Sequence, residues 1–185
     1  MIEDRFFKLI EHSISREKKI EKSECSAFKI DDKDGLAEHL GFSKLSKVDY
    51  FSKNGDKIQL IELSDLENDI NKCKCNLAEE ISKAEKKKGN KLNTREERPI
   101  RKQAWSLITN ELQRKWSGSI AIIERLYRKN QIVDNDPDYQ LLIVCKNKTD
   151  IRMLDILKVQ LQGMMKIVNV CNTKNLSVLL ISSDE

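Results

Sequence analysis

The chain has few of the residues that interrupt or bridge a fold. Its 185 residues include only two prolines and six glycines, which excludes collagenous and Pro/Gly-rich disordered classes. Aromatics make up 5%. Apolar runs such as Leu141–Cys145 and Val178–Ile181 span only a handful of residues, far short of a membrane span. The opening MIEDRFFKLIEH has no basic patch leading into an apolar stretch, so no secretory signal is expected there. Histidine occurs twice, as His12 and His39, and neither is near a cysteine pair in sequence. The five cysteines are odd in number and irregularly spaced, and Cys73-x-Cys75 would point in different directions on a helix, so a zinc site is not expected. Free thiols fit a reducing, cytoplasmic compartment, with Cys145 and Cys171 as small buried hydrophobes. The phosphate-loop, dinucleotide and serine-hydrolase motifs are also missing, and those readings lose their main support.

Charge is what the chain has in quantity. Charged residues make up 35% against 39% hydrophobic, and the net charge is only +4. Its distribution is uneven: residues 1–82 carry net −4, residues 83–129 net +9 and residues 130–185 net −1. A locally basic segment in a near-neutral chain is the footprint of a phosphate-contacting surface, although a solvated helix face gives the same pattern.

The hydrophobic periodicity predicts an amphipathic helix over 2–20, with a stripe through Phe6, Phe7, Leu9, Ile10 and Ile14. A short strand at 25–30 and a short helix at 36–40, capped by Asp34, follow. Alternation in 48–53, a turn at Asn54-Gly55 and the apolar run 57–63 predict a β-hairpin. Ser64-x-x-Glu67 reads as a capping box opening a helix to about Lys88, and Thr94-x-x-Glu97 as a second one. The second helix runs through Trp105 and Trp116, which share a face eleven residues apart and are expected in the core; Ser117-Gly118-Ser119 weakens it, and 120–129 continues as another helix. Asn135–Asp138 is a turn. An apolar strand at 139–145, a helix from Thr149 or Asp150 to Val168 and a last strand at 176–181 complete an α/β fold with a mixed sheet. The whole chain, 1–185, reads as one domain: an α/β core of 1–82 and 130–185, with 83–129 as a basic helical insertion.

Two acids stand out on the hairpin. A turn at Asn54-Gly55 pairs positions whose numbers sum to 109, so Asp49 faces residue 60 and Glu62 lies two residues further on, with both side chains on one sheet face. Two carboxylates so placed can share Mg²⁺ or Mn²⁺, hard cations that prefer oxygen ligands. An acid in an apolar strand needs a partner or a task.

The stretch KVDYFSKNGDKIQLIELSD, 47–65, resembles the core of the PD-(D/E)xK, or restriction-endonuclease-like, nuclease superfamily. The resemblance implies an αβββαβ core, a mixed central sheet flanked by helices, and phosphodiester hydrolysis of nucleic acid, DNA in the first instance. It implies Asp49 and Glu62 as metal ligands and catalytic acids, with Glu11 as a further acidic ligand; Glu3 and Glu38 are alternatives. The proline that commonly precedes the first acid is absent, and the lysine position is held by Ser64, which cannot supply a charge. Three readings follow for Ser64: a helix N-cap, a lysine function that has migrated to Lys72, Lys74 or Lys83, with Lys74 the catalytic candidate, or a degenerate module that binds nucleic acid or a protein partner. The basic segment supplies candidate phosphate contacts in Lys86, Lys87, Lys88, Lys91, Arg95, Arg98, Arg101 and Lys102. Proteins of this type are common in antiviral defence and mobile elements. A homodimer is compatible with the sequence, and membrane association is not expected.

Overall fold

The computed structural model describes residues 2–13, 20–132, 136–161 and 163–181. Among these residues, six strands form one open sheet in sequence order: β1 (Phe7–Ser13), β2 (Ile20–Lys29), β3 (Tyr50–Asn54), β4 (Lys57–Leu63), β5 (Asp138–Cys145) and β6 (Val168–Asn172). The first four are antiparallel neighbours; β4, β5 and β6 are parallel. Among the described residues, five α-helices accompany them: α1 (Leu36–His39), α2 (Glu67–Lys88), α3 (Thr94–Lys129), α4 (Asp155–Leu161) and α5 (Leu176–Leu179). The architecture is therefore α/β with a mixed sheet, as its sequence pattern predicts.

Each strand buries alternate residues on opposite sides. Phe51, Ile58, Leu60, Leu141 and Ile143 join the larger core beneath α2, α3 and α4. Tyr50, Ile61, Leu142 and Val144 join a smaller one beneath α5. Phe7, Phe28 and Phe51 form an aromatic row across β1, β2 and β3, with successive ring centroids 5.2 Å apart. Such cross-strand pairs hold register where hydrogen bonds are few; β2 and β3 share only two paired positions.

Three elements differ from the sequence reading. The predicted helix over 2–20 is a 3₁₀ turn at Asp4–Phe6 followed by strand β1, and its portion at 14–19 lies outside the described residues. Its apolar residues cluster in a short run, a pattern that suits a strand as well as a helix. The predicted last strand, 176–181, is largely the short helix α5, and the sixth strand is instead Val168–Asn172, where the crossover helix was expected to end. A 3₁₀ turn at Ile151–Leu154, capped by the Asp150 carboxylate, leads into α4, which ends at Leu161. The Ser64 capping box is not formed. Helix α2 starts at Glu67 after Leu66, and Ser64 extends β4, its amide donating to Val144 O at 3.0 Å.

The second capping box forms one residue earlier than read. Asn93 Oδ1 accepts from the Glu96 amide, and Glu96 Oε2 accepts from the Asn93 amide. From there α3 runs unbroken to Lys129. Trp105, Ile108, Leu112, Ile122, Ile123 and Leu126 are buried in the main core, so most of this helix is a structural layer of the fold. Trp116 is half-buried, its ring edge-on to Tyr139. The Ser117–Ser119 stretch does not end the helix because the small residue has a packing task. A Cβ on Gly118 would lie 1.9 Å from Ser46 O, so only glycine lets the loop before β3 approach the helix backbone.

Candidate functional site

The hairpin brings the two acids together in a different register from the one expected. Asn54 pairs with Lys57 and Tyr50 with Ile61, so position sums are 111. The turn residues are Gly55 and Asp56. A glycine with φ +57° at the first loop position matches the type II′ hairpin turn. One step beyond the last pair, Asp49 lies across from Glu62 rather than two residues from it. Both have the parity of Phe51 and Leu60 and so face the large core beneath α3.

Asp49 is fixed from several directions. Its carbonyl accepts from the Ile30 amide at 2.8 Å, tying it to the end of β2. Its Oδ2 accepts from the Leu63 amide at 2.7 Å. The neighbouring Val48 amide donates to Ser119 Oγ at 2.9 Å, and that hydroxyl donates to Lys115 O at 2.7 Å. Ser119 thus joins the Asp49 loop to the turn of α3 that carries Lys115.

Glu62 is 2% exposed. Lys115 Nζ lies 2.5 Å from its Oε1. Its Oε2 is buried without a hydrogen-bond partner. Burial pushes the Glu62 carboxyl up to about 8; the nearby Asp49 charge adds to the rise and Lys115 opposes it. Burial likewise pushes Asp49 up to about 6, against the Leu63 amide and Lys115. Burial disfavours the Lys115 charge, but Glu62 and Asp49 more than offset this and hold the ammonium above its ordinary value. Two carboxylates and one ammonium therefore titrate as a coupled set.

Beside this set is a small polar cavity of about 110 Å³, lined by Asp49, Glu11, His12, Asp31, Asp32 and Tyr50 among others. Glu11 reaches it, but its carboxylate is ion-paired with Lys22 at 2.9 Å. Among the described residues, no group of three His, Cys, Asp or Glu side chains is arranged to hold a metal. Asp49 lines this cavity and Glu62 does not; the Glu62 Oε2, buried without a hydrogen-bond partner among the described residues, and the nearby Asp49 are the oxygen donors that would suit a hard cation taking one or two carboxylates.

The other candidate residues lie elsewhere. Lys74 is half-buried on α2, where its charge helps lower the Asp150 carboxyl. Lys72 pairs with Asp69 and Lys83 with Glu80 on the same helix. Glu3 pairs with Arg5, and Glu38 is exposed. His39 packs on the Phe6 ring with centroids 5.5 Å apart. His12 is a buried strand residue, not the half-buried or exposed helix residue expected.

The eight basic candidates gather where α2 ends and α3 begins. Lys88 is ion-paired with Glu96 and Arg101 with Glu97. Lys86, Lys87, Lys91, Arg95, Arg98 and Lys102 are exposed, with no ion pair or side-chain hydrogen bond among the described residues.

Lys115 was missed by the motif reading because 53 residues separate it from Glu62. A signal for it does exist. Ile108, Leu112, Lys115, Ser119, Ile122 and Leu126 are spaced alternately by four and three, so a lysine occupies the inward stripe of a core helix. A charge at such a position requires a buried partner.

No helix among the described residues is long and apolar enough to cross a membrane. Comparison with protein-family models, with curated proteins and with solved structures gives no match.

Proposed function

We propose that this chain is a nuclease-like protein of the restriction-endonuclease type, acting on DNA through Asp49, Glu62 and Lys115. The observation that carries this reading is the Lys115 ammonium 2.5 Å from Glu62 beside Asp49. It supplies, from α3, the positive charge that Ser64 cannot.

Asp49 and Glu62 are the residues that would hold Mg²⁺ or Mn²⁺. Such an ion polarises a phosphoryl oxygen and lowers the pKa of a bound water. The chain's own residues do the positioning. The Leu63 amide and the Ile30 contact fix Asp49. Ser119 couples the Asp49 loop to Lys115. Lys115 stabilises negative charge developing on the phosphate, a role of preorganised cations generally. Because burial raises the Glu62 carboxyl above the usual carboxylate range, a cation there would compete with a proton, and its affinity would rise with pH.

A second reading rests on the same contact. Lys115 already neutralises Glu62, as a structural ion pair would, which favours a catalytically degenerate module that binds nucleic acid or a protein partner.

Plasmid and single-stranded DNA incubated with the protein and Mg²⁺ or Mn²⁺, with and without chelator, separate the two. The nuclease reading expects metal-dependent cleavage that falls about 100-fold or more in Asp49→Asn and Glu62→Gln. Cleavage that survives Asp49→Asn sinks the site assignment. Salt-sensitive retention of DNA without any cleavage selects the binding module.

A further inference from the structure

We infer that the α2–α3 tip is a second grip on duplex nucleic acid, set back from the carboxylate pair by most of a helical turn of DNA. The inference rests on the nucleic-acid reading above and adds to it where the duplex is held and how long it must be.

Three observations support it. First, residues 83–102 carry nine basic and three acidic side chains, net +6, against +4 for the whole chain. Two of the three acids, Glu96 and Glu97, are committed to Lys88 and Arg101, and Glu85 Oε1 accepts from the Leu92 amide. Lys83 pairs with Glu80, and the six remaining exposed cations have no ion-pair partner among the described residues. Second, they are ordered. Arg95, Arg98 and Lys102 fall at i, i+3 and i+7 and so share one flank of α3. Lys86, Lys87 and Lys91 stand across the connection, which Gly89 turns with φ +76° at the end of α2. Third, the tip stands clear of the core. Buried residues end at Cys73 on α2 and begin at Trp105 on α3.

The same helix carries Lys115. Arg98 and Arg95 precede it by 17 and 20 residues, or about 25–30 Å at the α-helical rise of about 1.5 Å per residue. At about 3.4 Å per base pair this is roughly eight or nine base pairs. A stiff duplex bridges that gap with its phosphates in place. A duplex shorter than the gap reaches one position or the other, but not both.

The test measures binding by fluorescence anisotropy, using the full chain in Ca²⁺, an oxygen-liganded stand-in for Mg²⁺, and end-labelled duplexes from about 6 to 24 base pairs over a salt series. A variant carrying Gln at Lys86, Lys87, Lys91, Arg95, Arg98 and Lys102 changes exposed side chains only. The wild type is expected to gain affinity steeply once duplexes exceed about ten base pairs. The variant is expected to lose that gain and to bind long duplexes at least tenfold more weakly. The slope of log K against log salt should become shallower by about three to five. Equal slopes for the two proteins, or no length threshold in the wild type, overturns the inference. Tighter binding of single strands than of duplexes of equal length overturns the duplex assignment. Arm-dependent binding without cleavage under any metal leaves the grip standing and removes the nuclease reading. Cleavage with an unchanged KM in the six-fold variant does the reverse.

Discussion

Lys115 and Glu62 meet at 2.5 Å across 53 residues of sequence, and each favours the other's charged form. Removing the ammonium leaves a buried carboxylate without its counter-ion. Breaking a buried pair from one side costs about 3–5 kcal/mol, and the 25% exposure of the Lys115 side chain puts Lys115→Met near the lower end, about 3 kcal/mol. Restoring neutrality with Glu62→Gln should recover most of that loss. A double-mutant cycle by urea denaturation at pH 8 or above measures the coupling, and additive single effects would show that the contact contributes nothing.

The helix also depends on the absence of a side chain. Gly118→Ala would place a Cβ 1.9 Å from Ser46 O, so either the loop or α3 must move. Forced overpacking of this kind costs about 1–3 kcal/mol. A lowered thermal midpoint is expected, with a disproportionate loss of any metal-dependent activity, because the displaced loop leads into Asp49. A variant that melts with the wild type would refute this account of the close approach.

Asn93 and Ser64, which precede α3 and α2, should behave differently. Asn93 forms a reciprocal cap, and Asn93→Ala should cost about 1 kcal/mol. Ser64 caps nothing, and Ser64→Ala should change stability by less than about 0.5 kcal/mol. Chemical denaturation of the two variants side by side is sufficient. Equal losses would mean that Ser64 has a role its surroundings do not reveal.

His12 gives the fold a pH response. Burial lowers its pKa below the usual 6.5, with the Lys146 charge adding to the fall against Glu21 and Asp65. The folded state therefore binds fewer protons than the unfolded chain, and stability attributable to His12 rises with pH. It is fully present above about pH 6.5 and is lost as pH falls below the unfolded value. Denaturation midpoints measured between pH 7 and pH 5 should fall less in His12→Gln than in the wild type. Parallel curves would exclude a contribution from His12.

What could be read from the sequence followed the strength of the local signal. The hairpin was legible because alternation and a glycine turn coincide, yet its register was off by two in the position sum. Asn54-Gly55 and Gly55-Asp56 are both acceptable turn pairs, and only the observed backbone places Gly55 first. Strand β5 was legible because a parallel interior strand is apolar throughout. Strand β1 was not, because Phe6, Phe7, Leu9 and Ile10 fit a helical stripe as readily as an edge strand that leaves Phe7 and Leu9 partly exposed. The carboxylate pair was visible, since both acids belong to one hairpin. Its cation was hidden, because pairing Lys115 with Glu62 is a tertiary event that no spacing rule encodes. The α2 lysines are nearer in sequence but serve other acids: Lys72 pairs with Asp69, Lys83 with Glu80, and Lys74 acts on Asp150.

Gly118 also sets the mechanics of α3. The helix rests against Ser46 at this point, three residues past Lys115. Trp105, Ile108 and Leu112 are buried on one side of it and Ile122, Ile123 and Leu126 on the other, so this length of helix is clamped to the sheet. Only the eleven residues from Thr94 to Ala104 extend past the clamp, about 16 Å of helix. The basic end projects as a short bracket, while the ammonium is held where the helix is bolted down.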